Sequence, residues 1–188
     1  MVAKAAVAIL PPYTTTDDFT RADSSSSLGT ATTGEVWTAH SGTWGISSNK
    51  AYCATRSGDS VATINAARSD LTLEVSYTPG ASSDSGIVFR ATDNNNYLLC
   101  LCTVSSGISL WQRVAGTYTQ LSNSGAGGSF TAGVSYQVKV VAASTSIITY
   151  KDGVQTLSHT TSQFVTGTRV GLRENANSAS RWDNLTVL

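Results

Sequence analysis

The 188-residue sequence predicts an all-β chain folded as a two-sheet antiparallel β-sandwich, and three observations carry that prediction. Apolar residues alternate with polar ones at the period of two that belongs to half-buried strands, in segment after segment. Turn-forming clusters of Gly, Asn, Asp and Ser interrupt these segments roughly every 8 to 15 residues. No stretch of about 12 residues or longer carries a helical period. Charged residues make up only 13% of the chain. That is about half the usual share, so Ser, Thr, Asn and Gly must supply the polar surface, which suits short strands and turns. A single sheet of about 11 to 14 strands would curl or split, so two packed sheets of jelly-roll type are expected.

The elements follow in order. Residues 1–16, "MVAKAAVAILPPYTTT", read as an extended arm, and residues 17–188 as one domain opening at "DDF". "TWGISSNKAYCAT" is a hairpin turning at "SSNK". "DLTLEVSY" alternates cleanly, with Leu71, Leu73, Val75 and Tyr77 on one face and Thr72, Glu74 and Ser76 on the other. "SGIVFRA" runs into the turn "TDNNN", then "YLLCLCTV", "ISLWQRV" and the short "TYTQL". "YQVKVVA" places Tyr136, Val138 and Val140 together. "SIITYKDGVQTL" is a hairpin whose Asp152-Gly153 pair supplies the positive φ of a two-residue turn. "TRVGLRE" and "RWDNLTVL" close the series. Trp37 and Trp44 are expected to pack the N-terminal hairpin against the core.

Charge and cysteine content narrow the function. Twelve basic and twelve acidic residues cancel. The clustered Lys and Arg of a nucleic-acid or anionic-membrane footprint are missing, so neither partner is expected. Cys53, Cys100 and Cys102 are odd in number. Cys100 and Cys102 share one face of a strand, an arrangement that rarely permits a bridge. They read as buried thiols, with a Cys53 bridge to either one left open. The start lacks the long apolar stretch and cleavage pattern of a secretory signal, and no stretch reaches the roughly 20 apolar residues of a membrane span.

Catalysis finds little support. The three glutamates are Glu35, Glu74 and Glu174. None sits at i, i+2 or i+4 from another carboxylate on a strand, a placement that would set two acids on one face to flank a glycosidic bond. Asp70 and Glu74 come nearest and read as a solvated sheet face. No Gly-x-Ser-x-Gly and no phosphate loop occurs, and His40 and His159 flank no cysteine. No cofactor is expected and no metal is assigned. The oxygens around Asp93 in "DNNN" are calcium-compatible but lack a calcium loop's spacing, so an Asx turn is expected there.

Sugar sites need aromatic rings to cover pyranose faces and planar polar groups to bond hydroxyls. Trp111 and Arg113 share a face in "SLWQRV", and Arg90, Tyr97 and Tyr118 sit on neighbouring strands. The loop at 173–181 adds Arg173, Glu174, Asn175 and Asn177. Two readings stand for Trp111: core packing with Arg113 at the rim, or an aromatic platform on a concave sheet face.

The order of the segments "DDFTRAD", "VWTAHSGTWGISSNKAY", "GIVFRATDNNNYLL", "YQVKVVAASTSIITYKDGV" and "GTRVGLRENANSASRWDNLTV" resembles the concanavalin A-like lectin/glucanase superfamily in its laminin-G-like branch. The resemblance covers residues 17–188 and implies that the last strand pairs beside the opening one, with Leu185 and Val187 inward. Versions with this Ser/Thr/Ala-rich style resemble domains of actinobacteriophage virion proteins and modules appended to secreted glycosidases. The resemblance implies a non-enzymatic, lectin-like jelly roll displayed at a virion surface, as a head decoration or tail component. It would be oligomeric within the assembly, contacting capsid or tail proteins through the arm residues Val2, Ala3, Val7, Ile9, Leu10, Pro11, Pro12 and Tyr13. Host-surface carbohydrate would be its ligand. The alternative is a carbohydrate-binding module of a secreted bacterial protein, with an unusual glycosidase third.

Overall fold

The computed structural model describes residues 14–82, 84–125, 128–175 and 179–188. The arm residues Val2, Ala3, Val7, Ile9, Leu10, Pro11, Pro12 and Tyr13 lie outside the described residues, and so does Asn177. The described residues form two antiparallel sheets and no α-helix. One sheet is ordered β13 (Val154–Thr160), β12 (Ser146–Lys151), β11 (Tyr136–Ala143), β6 (Leu71–Thr78), β15 (Arg181–Val187), β4 (Lys50–Thr55) and β3 (Thr43–Ser47), with β1 (Thr15–Asp17) also pairing on β15. The other runs β10 (Thr117–Asn123), β9 (Gly107–Val114), β8 (Asn96–Thr103), β7 (Asp84–Asp93), β14 (Arg169–Glu174), β5 (Ser60–Asn65) and β2 (Thr38–Ala39).

The inner faces interdigitate into one core. Leu71, Leu73, Val75 and Tyr77 of β6 belong to it, as do Ile87 and Phe89 of β7, Leu98, Cys100 and Cys102 of β8, and Val170 and Leu172 of β14. All three cysteines are free thiols, and burial pushes those of Cys53 and Cys102 up, away from thiolate chemistry. The hairpin turns form where the sequence places them. Ser48 and Asn49 (φ 53° and 58°) turn β3 into β4, and Asp152 and Gly153 (φ 49° and 80°) turn β12 into β13. At "DNNN", Asp93 accepts hydrogen bonds from the Asn95 backbone N–H (2.7 Å) and from Asn96 Nδ2 (2.9 Å), closing an Asx turn.

The closing segment behaves as expected. Leu185 and Val187 are buried, and the register Thr15↔Val187, Thr16↔Thr186, Asp17↔Leu185 ties the two ends of the domain together. Thr15 and Thr16, assigned to the arm from sequence, therefore belong to the first strand. Trp182 is fully buried against Trp44 (centroids 5.6 Å apart) and Tyr77 (5.9 Å). Asp183 accepts the Asn184 backbone N–H at 2.8 Å. The buried Asp17 explains the "DDF" opening. It pairs with Arg21 at 2.6 Å, accepts Trp37 Nε1 at 2.7 Å and caps the Phe19 N–H at 2.9 Å, so its charge is compensated from three directions.

Two elements were not anticipated, β2 and β5. β2 is only two residues long. β5 is buried on both faces, Ala62 and Ile64 toward the core and Val61 and Thr63 away from it, so its sequence carries no polar alternation to read.

Candidate functional site

The outer face of the seven-stranded sheet is apolar where a solvated sheet face would be polar. Val61, Val88, Ala91, Tyr97 and Leu99 form a second buried cluster there, with Leu101, Trp111 and Tyr118 packed against it. Alternation produces it. On β8 the residues Leu98, Cys100 and Cys102 point into the core, which turns Tyr97, Leu99 and Leu101 outward. On β9, Ile108 and Leu110 point in, so Ser109, Trp111 and Arg113 point out. The register then sets Trp111 opposite Leu99, and Arg113 opposite both Tyr97 and Tyr118.

The face is concave. Tyr118 lies on β10 and Arg173 on β14, four strands apart in the sheet order. A flat sheet would separate those backbones by about 19 Å at the usual strand spacing. The Arg173 guanidinium nevertheless lies 5.6 Å from the centre of the Tyr118 ring. The row Leu101–Gly86–Arg173 crosses the floor of this hollow. Gly86 adds no side chain to it, leaving a cleft of about 260 Å³ lined by Asp84, Leu99, Leu101, Trp111, Tyr118 and Arg173.

Charged and aromatic groups interlock along one wall. Asp59, just ahead of β5, accepts Arg173 Nε at 2.6 Å, lies 3.3 Å from Arg113 Nη1 and accepts the Tyr118 hydroxyl. Asp84 accepts Arg173 Nη1 at 2.7 Å and Asn175 Nδ2 at 3.1 Å. The Tyr97 and Tyr118 hydroxyls bond each other, and Arg113 stacks on both rings at 5.7 and 5.1 Å. Trp111 meets Tyr118 edge to face at 6.4 Å and donates its Nε1–H to Ser109 Oγ at 2.8 Å, which fixes the indole plane.

Burial raises the Tyr118 phenol well above its ordinary value, reinforced by Tyr97, and burial likewise raises Tyr97. For Arg173, burial acts to lower the value but Asp59 and Asp84 outweigh it. For Arg113, Tyr97, Tyr118 and Asp59 together do the same, so both guanidiniums are held charged.

Of the residues singled out from sequence, the structure brings together Tyr97, Trp111, Arg113, Tyr118 and Arg173, with Asn175 at the edge holding Asp84. The core reading of Trp111 gives way to the outward one, because the indole packs on the outer cluster and keeps part of its surface exposed. Arg90 is a correction. The β7 register shifts after Phe89, Arg90 takes φ 49°, and its side chain is fully buried, bonded to Ser69 O (2.8 Å) and Asp70 (2.9 Å) away from the cleft. Glu174 is a second correction. It follows Arg173 on the same strand, so it faces the opposite side of the sheet and is buried there. Asn177 lies outside the described residues.

Sequence reasoning missed Asp59, Asp84, Leu99 and Leu101. The leucines left a signal, since "YLLCL" is apolar on both faces of its strand. The aspartates left none, because each sits in a Ser/Gly-rich loop that reads as an ordinary turn.

What this arrangement can do is bind. It offers an aromatic platform, an apolar floor and a carboxylate and guanidinium at one end. Asp59 and Asp84 are both bonded to one guanidinium, unlike the two separately placed acids of a glycosidase. Asp70 and Glu74 sit elsewhere, Asp70 paired with Arg90 and Glu74 in register with Lys139 on the other sheet.

Solved structures share this fold. A carbohydrate-binding module (CBM66) from Bacillus subtilis superposes with a TM-score of 0.59 at 16% identity, covering 80% of this chain and 90% of that one. The fold is a galectin-like, concanavalin A-like jelly roll. Domain 4 of AbnA, a GH43 extracellular arabinanase from Geobacillus stearothermophilus solved with arabinotriose, gives a TM-score of 0.57 at 14% identity, covering 84% of this chain and 85% of that one. A Bacillus subtilis protein of unknown function with a galectin-like fold gives 0.58 at 10% identity, covering 80% and 88%. Glycoside hydrolase chains are also among the similar structures. No protein-family model and no curated relative matches the sequence.

Proposed function

We propose that this chain is a non-catalytic carbohydrate-binding module that takes a sugar in the cleft on the outer face of its seven-stranded sheet. One observation carries the reading: an outward-facing apolar patch of Leu99, Leu101 and Trp111, bordered by the polar pair Asp84 and Arg173 on a concave face. Trp111 covers the apolar side of a pyranose or furanose ring. Asp84 accepts from its hydroxyls, and Arg173, held rigid by two aspartates, orients Asp84. Concave, largely apolar clefts with a few convergent polar groups are the usual form of ligand sites, and the fold is shared with modules named for carbohydrate binding.

The test is a glycan array followed by titration calorimetry on the best ligand, with Trp111→Ala and Leu101→Glu alongside the wild-type protein. Binding abolished or strongly weakened in both variants supports the site. Unchanged binding in both places the sugar elsewhere, and an array without hits sinks the proposal.

Display on a virion through residues 1–16 and display from a secreted protein both present this face to cell-surface or matrix glycans. Particle incorporation of the chain lacking residues 1–13 separates the two settings, since loss of incorporation with an intact fold supports the virion.

A further inference from the structure

Arg173 lines the cleft and Arg113 stacks on Tyr118, another lining residue, and one side chain engages both guanidiniums. Asp59 Oδ1 accepts Arg173 Nε at 2.6 Å while Oδ2 lies 3.3 Å from Arg113 Nη1 and takes the Tyr118 hydroxyl. The loop holding Asp59 is itself fastened. Ser41 Oγ donates to the Asp59 carbonyl at 2.6 Å, and the Ser57 N–H donates to Ser60 Oγ at 3.0 Å. Asp84 takes Arg173 Nη1 at 2.7 Å. Two arginines therefore stand against two aspartates, and the wall carries no net charge.

We propose that Asp59 is the specificity-determining residue of the cleft. It is an internal carboxylate that occupies the positions an acidic sugar would need, and so restricts the ligand to neutral glycans. The inference rests on the sugar-binding reading of the cleft. A uronate or sialate carboxylate seeking Arg113 or Arg173 would have to displace a charge already bonded to both, or sit beside it at like-charge distance. It would also lie near Asp84, the more exposed aspartate. A neutral ring meets no such conflict. Its hydroxyls bond Asp84 and its apolar face lies on Trp111. Selectivity of this kind works by repulsion as much as by attraction.

The experiment compares matched polysaccharides differing only in oxidation at C6, β-1,4-glucan with β-1,4-glucuronan and amylose with its C6-oxidised α-1,4-glucuronan, by affinity electrophoresis and calorimetry. Wild-type protein should bind the neutral member of a pair at least about tenfold more tightly than the acidic member. Asp59→Ser leaves the two guanidiniums with only Asp84. Acidic binding should then rise at least about tenfold and weaken as salt is raised from about 0.05 to 0.5 M. Tyr118→Phe, which leaves Asp59 on its arginines, should give no such gain.

Wild-type protein that binds both members equally overturns the inference and leaves the site standing. So does a folded Asp59→Ser protein that gains nothing, with melting temperature and circular dichroism certifying the fold. If that variant does not fold, the wild-type comparison decides alone. Wild-type protein that binds neither member of any pair overturns the sugar-binding reading and this inference together.

Discussion

Replacing Trp111 with Ala removes the platform while leaving the sandwich in place, and its effect can be sized from the cleft. A Trp side chain buries roughly 200 Å² when wholly enclosed. Trp111 is already half-buried, with one side against the sheet and its edge toward Tyr118. A stacked sugar therefore covers only the indole surface still exposed, at most about 70 Å², which at about 25 cal/mol per Å² is up to about 1.7 kcal/mol. That corresponds to a Kd raised by up to about twentyfold. Trp111→Phe keeps part of the ring area and should fall between wild type and Ala. The fold should survive, because the indole lies outside the inner core and bonds only Ser109. The assay is calorimetry on the best array ligand, with the melting temperature measured in parallel. A folded Trp111→Ala protein whose Kd stays within about threefold of wild type would refute the stacking argument.

Further outcomes follow from other parts of the molecule. Burial holds the Tyr118 and Tyr97 phenols protonated above their unfolded value of about 10, so the stability they contribute is complete below pH 10 and is lost as pH rises past it. Unfolding free energies from urea titrations should hold up to about pH 10 and fall above it, by up to about 1.4 kcal/mol per pH unit for each phenol, and Tyr118→Phe should flatten the slope. Trp182→Ala empties a site enclosed by Trp44 and Tyr77 and should cost about 3 to 5 kcal/mol in equilibrium denaturation, whereas Trp182 acting as a surface ligand platform would cost far less. Cys100 and Cys102 should resist alkylation until the protein is unfolded, and rapid labelling of either under native conditions would contradict their place in the core.

Local pattern was enough for the strands that have one wet face. β6 alternates without a break, and its four inward residues are the four that alternation selects. The turns were legible too, because Asp152-Gly153 and Ser48-Asn49 answer a backbone requirement that few residues meet. β5 escaped because both of its faces are covered, one by the core and one by the outer cluster. Pattern then has no polar side to register against.

The candidate site divides in the same way. Trp111 and Arg113 share a face by strand period alone, and that much was visible. Arg90 shows where period fails. A register shift after Phe89 and a positive φ turn its side chain to Ser69 and Asp70, and no spacing rule announces such a shift. Glu174 stood next to a true cleft residue in sequence, and for that reason lies on the other side of its sheet.

By itself the sequence determined the all-β class and most of the strands and their turns. Those features follow from side-chain period and backbone dihedral preference, which act over a few residues. The tertiary structure alone decided that one outer sheet face is apolar and concave. It also decided that Asp59, in the loop ahead of β5, and Asp84, at the start of β7, converge on Arg173. The curl of the seven-stranded sheet lets Arg173 of β14 reach the Tyr118 ring of β10. That curvature belongs to the whole sheet, so no single segment encodes it.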